Sequence, residues 1–164
     1  MYRWMLSGIL FAALNAPSMA LPPVSDSLEI RDQARACYLG FIKLYDVDYL
    51  ADASNARCVR VSYLRGFSAD ELSEATTKVF AQRHGSDVAA EYIDLLQGVN
   101  SAYDDVDNGD TYTYCVADSV GGVLIRDNEA VRRIDSDDFA KRFFQIWVKD
   151  ERNDGRPEWS FSTC

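Results

Sequence analysis

The sequence predicts an α+β domain in which helices pack on one face of an antiparallel β-sheet. Two observations predict this class: stretches that alternate like strands flank stretches with helical spacing, and turn signals separate them. Hydrophobic residues make up 48% of the 164 residues, enough for a single domain with its own core.

The first part of this domain is predicted to be β-structure. Residues 28–50 alternate and are rich in aromatic and β-branched side chains, as strands are. Residues 51–57 contain Asp, Ser and Asn and therefore predict a turn. Residues 58–65 follow as a second strand.

Two helices are predicted next. Ser68 and Glu71 fit the S-x-x-E capping box, which satisfies free backbone N–H groups at a helix start. Apolar residues recur at helical spacing from Leu72 to Phe80, and Gly85 fits a C-terminal cap. A second helical stripe runs over residues 88–103, which predicts another core-facing helix.

A hairpin and a third helix complete the predicted domain. Residues 111–117 and 123–126 read as two strands around a Gly-Gly turn, and residues 127–128 are a second turn signal. A capped helix is predicted over residues 137–148, after which the chain is polar and irregular. The order of elements is that of helices packed on one sheet.

Residues 1–20 fit a secretory signal peptide rather than part of the fold. A positive start, the apolar residues 4–14 and the small residues Ser18 and Ala20 are the features of such a peptide. The apolar run is shorter than a membrane-spanning helix requires. We therefore expect a domain of residues 21–164, periplasmic or secreted, with no membrane span after cleavage following Ala20.

Export changes how the four cysteines are interpreted. Cys37, Cys58, Cys115 and Cys164 are even in number, lack CxxC spacing and predict two disulfides. If Cys37 and Cys58 lie at opposite ends of neighbouring strands, their pairing is disfavoured, because a disulfide needs Cα atoms within about 7 Å. Cys164 would then fasten the end of the chain to Cys37, Cys58 or Cys115, and the sequence leaves the choice open.

Charge and composition exclude several classes of function. The formal net charge of −9 disfavours nucleic acid, whose phosphates are bound mainly by Lys and Arg, and it disfavours an anionic membrane surface. A single histidine excludes zinc sites that need two imidazoles. The acidic residues 104–110 do not follow EF-hand spacing, so we predict a solvated turn there, with no metal site and no cofactor.

No catalytic constellation is evident in the sequence. His84 adjoins Gly85 at the predicted end of a helix, and no nucleophile with a supporting acid can be tied to it. The pair Gly121 and Gly122 reads as a hairpin turn rather than a phosphate-binding loop. Composition and spacing alone therefore indicate an exported α+β domain.

An ordered set of short motifs goes further. The set covers residues 30–148 and consists of Leu39-Gly40-Phe41, Leu44-Tyr45-Asp46, Val61-Ser62-Tyr63-Leu64-Arg65, Val106-Asp107-Asn108-Gly109-Asp110-Thr111-Tyr112, Asp138-Phe139-Ala140 and Phe144-Gln145-Ile146-Trp147. The order of these motifs, and the predicted strands and helices on which they lie, resemble those of the bacterial chalcone isomerase-like proteins. The resemblance implies an open-faced antiparallel sheet with helices on one face and a ligand cleft between them.

The resemblance also implies a ligand site. In fatty-acid-binding relatives of this family, an arginine on an early strand and a tyrosine on the next strand hold the ligand carboxylate. The matching positions in this sequence are Arg35 and Tyr45. The family's small residue, often Gly, ahead of that arginine is not evident here. The resemblance thus favours a small apolar anion, such as a fatty acid, as the partner.

The same resemblance indicates that isomerase chemistry is lost. True chalcone isomerases use a tyrosine and an asparagine from the first helix, and the matching positions here are Ser68 and Ala75. Neither residue supplies a phenol or an amide. We therefore expect a non-catalytic binding protein. The alternatives are an intramolecular lyase of the chalcone–flavanone isomerase type and an envelope interaction module without a ligand, whose protein partner the sequence does not name.

The predicted site imposes a condition on the fold. Arg35 and Tyr45 are ten residues apart, so on one continuous strand they would be separated by about 33 Å. They can share a carboxylate only if the chain turns back near Gly40 and places residue 35 opposite residue 45. The acyl chain would then lie over Val61, Tyr63 and the helix faces.

Overall fold

The structure is a computed structural model, and it describes residues 28–53 and 55–164. The predicted signal peptide over residues 1–20 and its cleavage site after Ala20 lie outside these residues. Within the described part of the chain, no helix is both long and apolar enough to cross a membrane.

Six strands form one antiparallel sheet in which every strand pairs with its neighbours in the chain. This confirms the predicted fold class, an open antiparallel sheet with helices against it. The strands are β1 (Glu29–Tyr38), β2 (Ile42–Ala51), β3 (Arg57–Tyr63), β4 (Thr111–Ala117), β5 (Gly121–Arg126) and β6 (Glu129–Ile134).

The alternating stretch predicted over residues 28–50 is two strands, not one. Tyr38 and Phe41 close the turn between β1 and β2 through a hydrogen bond from the Phe41 backbone N–H to the Tyr38 carbonyl, 3.3 Å. The two central residues, Leu39 and Gly40, have φ values of 52° and 77°. Positive φ at both positions is the pattern of a tight hairpin turn.

Four helices cover one face of the sheet. Helix α1 begins at the predicted capping box, in which Ser68 and Glu71 satisfy each other's backbone N–H groups, and it ends at Gly85 with φ of 94°. The helix predicted over residues 88–103 is broken at Tyr92, so it forms two shorter helices. The helices are α1 (Ala69–His84), α2 (Ser86–Glu91), α3 (Ile93–Asn100) and α4 (Asp137–Phe144).

The core lies between the helices and the face of the sheet that they cover, which we call the inner face. The opposite, outer face carries mainly polar side chains on β1, β2 and β3. Fully buried side chains of both layers meet in the core: Val47, Tyr49, Val59, Tyr114, Val116 and Leu124 from the strands, and Phe80, Leu96, Val99, Phe139 and Phe143 from the helices.

The C-terminal part departs from the prediction in three places. The third helix ends at Phe144 rather than at residue 148. The tail predicted to be irregular contains a small hairpin of β7 (Val148–Glu151) and β8 (Pro157–Trp159). Strand β6 is not predicted at all, because four of its six residues are exposed and its sequence lacks apolar alternation.

Both predicted disulfides are present. Cys58 and Cys115 lie directly opposite each other on β3 and β4, with Cα atoms 4.1 Å apart. Cys37 at the end of β1 pairs with Cys164, with Cα atoms 5.5 Å apart. Of the partners left open for Cys164, the structure selects Cys37. The end of the chain is thereby fastened to the edge strand β1.

Candidate functional site

The hairpin brings Arg35 and Tyr45 onto adjacent strands but not onto the same face. Arg35 pairs with Asp46, and Ala36 pairs with Tyr45. The expected pairing of residue 35 with residue 45 is therefore wrong by one position. Because successive residues of a strand point to opposite faces, Arg35 lies on the outer face and Tyr45 on the inner face.

A β-bulge causes this offset. Next to the turn, Cys37 pairs with Lys43, a register that would carry residue 35 opposite residue 45 if it continued. Between Ala36 and Cys37 the register shifts, so Leu44 is an extra residue on β2 and Ala36 meets Tyr45. A one-residue shift moves each following side chain to the other face of the sheet.

Arg35 is engaged by a carboxylate on the outer face. Its Nε donates to Asp46 Oδ1 at 2.5 Å, and a terminal nitrogen donates to Asp46 Oδ2 at 2.9 Å. The hydrogen bond from Arg35 holds the pKa of Asp46 below its usual value. A ligand at Arg35 would have to displace this two-pronged ion pair. The joint ligand role of Arg35 and Tyr45 stays a prediction, and the structure does not bring the two side chains together.

Tyr45 belongs to a group of six rings on the inner face, which we call the aromatic cluster: Tyr45, Tyr63, Phe67, Tyr103, Tyr112 and Phe161. The Tyr45 ring lies 6.2 Å from Tyr63 and 5.9 Å from Phe161, both edge to face. Tyr63 in turn contacts Phe67 at 5.7 Å and Tyr112 at 6.4 Å. Such edge-to-face contacts are favourable and hold the rings in fixed orientations.

The hydroxyls of the cluster fall into two groups. Tyr103 accepts a hydrogen bond from Thr76 Oγ1 at 3.1 Å, and Tyr112 accepts one from the backbone N–H of Asp104 at 3.0 Å. The Tyr45 and Tyr63 hydroxyls, by contrast, form no hydrogen bond with any other residue in the described ranges.

Burial keeps these phenols protonated. It raises the pKa of Tyr45 to about 12 and that of Tyr63 well above its ordinary value. Both hydroxyls are therefore available as hydrogen-bond donors at every physiological pH. A carboxylate, which only accepts hydrogen bonds when ionised, is a matching partner.

Two arginines border the cluster. Arg126 lies over the Tyr112 ring at 5.7 Å and is paired with Asp104 at 2.8 Å. Arg65 lies over the Phe67 ring at 5.3 Å, and it forms no ion pair with a carboxylate of the described chain. Arg65 is thus an exposed cation beside the cluster, and although its charge helps to lower the pKa of Glu71, no described carboxylate contacts it.

The C-terminal tail closes one side of the cluster. Phe161 packs on Tyr45, and Trp159 packs on Phe161 at 5.3 Å. The Cys37–Cys164 disulfide and a hydrogen bond from the Cys37 N–H to the Ser162 carbonyl, 3.2 Å, hold the tail against β1. Access to Tyr45 from this side therefore depends on the tail.

The opposite end of the sheet carries a polar cleft of about 550 Å³. Tyr49 donates a short hydrogen bond to Glu151 there, and Arg57 lies 3.6 Å from Glu151 and 3.8 Å from Asp118. Arg57 also stacks over the Phe144 ring at 5.5 Å. These three charges compensate one another, and their contacts fasten β7 to the sheet.

The residues matched to the isomerase positions have other roles. The Ser68 hydroxyl is used in the capping box of α1. Ala75 lies on the exposed side of that helix, whereas its neighbour Thr76 is buried against Tyr103. His84 contacts the Arg142 carbonyl through Nε2 at 2.9 Å, and burial lowers the pKa of its imidazole.

Sequence reasoning missed two residues of this site. Arg65 is the last residue of the motif Val61-Ser62-Tyr63-Leu64-Arg65. Without the fold, however, the sequence does not show that its guanidinium lies over the Phe67 ring. Phe161 stands in the tail, 132 residues after Glu29 at the start of β1, and the signal for it is the aromatic pair Trp159 and Phe161 in an otherwise polar segment. The disulfide to Cys164 is what brings that pair onto Tyr45.

Comparison with known proteins gives consistent results. A family model described as chalcone isomerase-like matches residues 36–156. Among solved structures, a fatty-acid binding protein of Arabidopsis thaliana superposes with a TM-score of 0.60 at 13% sequence identity, covering 78% of this chain and 83% of that chain. At this identity the likeness shows a shared fold. No curated protein matches the sequence.

Proposed function

Because the chain belongs to the chalcone isomerase-like family, we propose that it is a non-catalytic binding protein for a small apolar anion such as a fatty acid. The Arabidopsis protein with the same fold is a fatty-acid binding protein, which supports this ligand class. The proposal further includes export, with residues 1–20 as the signal peptide. The two disulfides support an oxidising compartment.

One observation carries the proposal: the hydroxyls of two phenols in the aromatic cluster form no hydrogen bond with any residue of the described chain. Tyr63 is 7% exposed and Tyr45 is partly buried, yet neither hydroxyl bonds another described residue. Neither hydroxyl oxygen is among the fully buried polar atoms without a partner in the described chain, so both are reachable by an incoming group. A ligand carboxylate at this position would accept from both hydroxyls, and a hydrogen bond to a charged group contributes about 1.5–3 kcal/mol.

The surroundings of the phenols suit the rest of such a ligand. The cluster supplies aromatic walls for an acyl chain, and Arg65 beside Phe67 supplies a cation for the carboxylate. In this arrangement Tyr45 keeps the role that the family resemblance implies, whereas Arg65 takes the part expected of Arg35. The ion pair with Asp46 disfavours Arg35 for that part.

Binding rather than catalysis is supported by the residues of α1. The Ser68 hydroxyl is already used at the helix start, and Ala75 carries no polar group. General acid–base groups contribute factors of about 10² to 10⁴ in rate, so their replacement removes most of the means for an isomerase reaction.

The direct test is to identify what the protein carries and then to remove one hydroxyl. Lipids extracted from the purified oxidised protein are identified by mass spectrometry, and the affinity for palmitate is measured by displacement of a fluorescent fatty acid. Tyr45→Phe removes only the hydroxyl. We expect about 10–100-fold weaker binding, as for a hydrogen bond to a charged group.

Tyr92→Phe is the matched control. Its hydroxyl bonds Asp138 outside the aromatic cluster, so palmitate affinity should not change. Absence of extracted fatty acid together with no saturable binding would refute the ligand class and favour an interaction module. Unchanged affinity of Tyr45→Phe would refute the site while leaving the ligand class intact.

A further inference from the structure

The turn between β1 and β2 presents an unusual apolar surface. We call Tyr38, Leu39, Gly40 and Phe41 the hairpin tip. Its three large side chains are 58%, 67% and 71% exposed, which makes them the most exposed large hydrophobic residues of the described chain. Single exposed apolar residues are ordinary, but three together on one projecting turn indicate a contact surface.

The choice of leucine at the tip is not explained by turn stability. Leu39 has φ of 52°, in the left-handed region that Gly, Asn and Asp adopt most readily. A leucine there is conformationally unfavourable, and it is solvent-exposed as well. Since a polar residue would serve the turn better on both counts, the side chain points to a role outside the fold.

The tip is braced and its strand edge is closed. Cys37, next to the tip, is bonded to Cys164, and Thr163 forms a β-bridge with Ala36. The tail thus occupies the free edge of β1 beside the tip, where a strand of a second copy would otherwise add. What the hairpin exposes here is therefore the apolar side chains of the tip rather than an unpaired strand edge.

Size and charge favour a lipid bilayer as the occupant. A stable protein interface buries about 800 Å² on each partner, more than a convex four-residue turn can offer, whereas a bilayer needs no complementary shape. Between Ala34 and Tyr45 the charged residues are Arg35 and Lys43, with no acid, although the whole chain carries −9. The twelve residues around the tip thus carry no carboxylate, and the nearest one along the hairpin, Asp46, is neutralised by Arg35.

We propose that the hairpin tip docks the protein on a phospholipid bilayer by placing Tyr38, Leu39 and Phe41 in the interfacial layer. Aromatic rings and aliphatic side chains are suited to that layer. Tyr38 lies on the same face of the hairpin as Tyr45, so docking turns the aromatic cluster toward the membrane. Docking itself is independent of the ligand; its use in transferring a fatty acid to Tyr45 rests on the proposed function.

Vesicle co-sedimentation tests the proposal. The oxidised chain from Leu21, which keeps every described element and lacks the apolar residues 4–14, is mixed with sucrose-loaded phosphatidylcholine vesicles free of fatty acid. We expect binding that persists at 0.5 M salt, because apolar contacts carry it. Leu39→Asn, which suits the positive φ, and Phe41→Ser should each lower the partition coefficient about tenfold.

The control variant is Val120→Ser. Val120 is 43% exposed in the β4–β5 turn at the other end of the sheet, and its loss should leave binding unchanged. Failure of the parent protein to sediment, or equal binding by the tip variants, would overturn docking. So would a concentration-dependent dimer that the tip variants abolish. Palmitate affinity in solution is measured in parallel, and its retention by the tip variants separates a failure of docking from a failure of the proposed function.

Discussion

Gly122 offers a sharp test of how the sheet and α4 fit together. A Cβ placed on this residue of β5 would overlap the Tyr114 hydroxyl and come within 2.8 Å of Tyr114 Cζ. Tyr114 is buried, and its hydroxyl donates to the Ala140 carbonyl of α4 at 3.0 Å. Gly122→Ala therefore forces the ring away from a position that links two layers of the core.

The magnitude follows from two effects. Overpacking a filled core costs about 1–3 kcal/mol. Displacing the Tyr114 hydroxyl from the Ala140 carbonyl leaves buried polar groups unpaired, which costs about 1–3 kcal/mol more. We expect the free energy of unfolding to fall by about 2–5 kcal/mol, a large share of the 5–15 kcal/mol typical of a domain.

The assay is urea unfolding of the oxidised protein followed by circular dichroism, with the midpoint as readout. Gly98→Ala is the matched control, because its Cβ would meet the movable guanidinium of exposed Arg132 at 2.5 Å. In helix α3 that change should be neutral or stabilising by up to about 1 kcal/mol. Adding Tyr114→Phe to Gly122→Ala should recover at least about 1 kcal/mol, because the nearest atom is gone. A midpoint for Gly122→Ala equal to that of the parent protein would refute the reasoning.

Four further outcomes are expected. Cys164→Ser should lower the free energy of unfolding by about 2–4 kcal/mol. Mild reductant should open Cys37–Cys164 before Cys58–Cys115, because Cys164 is exposed and Cys58 is 1% exposed; alkylation and mass analysis would show the order. Burial raises the pKa of Tyr45 and Tyr103 from 10.0 to about 12. Their contribution to the free energy of unfolding is therefore complete below pH 10 and is lost as the pH rises through about 12. Absorbance at 295 nm should show the two tyrosines ionising as the protein unfolds. Arg65→Ala should weaken palmitate binding about tenfold. Arg35→Ala should leave the affinity unchanged, because the Arg35 guanidinium is held by Asp46. The reverse result would show that Arg35 binds the carboxylate. Chalcone ring closure should not be accelerated, because Ser68 and Ala75 replace the acid–base groups; stereoselective flavanone formation would contradict this and favour the lyase alternative.

The parts of the fold that the sequence predicts well are those set by local chemistry. The start of α1 follows from the Ser68–Glu71 capping box, and the turn after β5 follows from Asp127 and Asn128, both of which have positive φ. Strand β6 escapes prediction because it is an exposed edge, where no buried face imposes alternation. The break at Tyr92 escapes because the apolar stripe continues through it without a Gly or Pro signal.

The candidate site shows where such reasoning stops. The turn at Gly40 was predictable, and by itself it would place residue 35 opposite residue 45. The bulge at Leu44 then reverses the face of each following residue of β2 relative to β1. At that level the Leu44 carbonyl accepts a hydrogen bond at 3.0 Å from the N–H of Leu64, the residue after β3, and no local motif specifies this contact. The sequence therefore identifies Tyr45 as a site residue, but it reveals neither the faces of Arg35 and Tyr45 nor the positions of Arg65 and Phe161.

The two ends of the sheet differ in how their polar and charged groups are paired. At the end of β3 that begins with Arg57, the charges are matched: Arg57, Glu151 and Asp118 compensate one another, and Tyr49 donates to Glu151. At the end that finishes with Tyr63, two phenol hydroxyls form no hydrogen bond with a described residue, and no described carboxylate contacts Arg65. The same end carries the apolar hairpin tip and the tail tied by Cys164. Tyr45, Tyr63 and Arg65 thus leave two hydrogen-bond donors and a cation accessible beside the exposed tip, which supports the proposed binding of a carboxylate at this end.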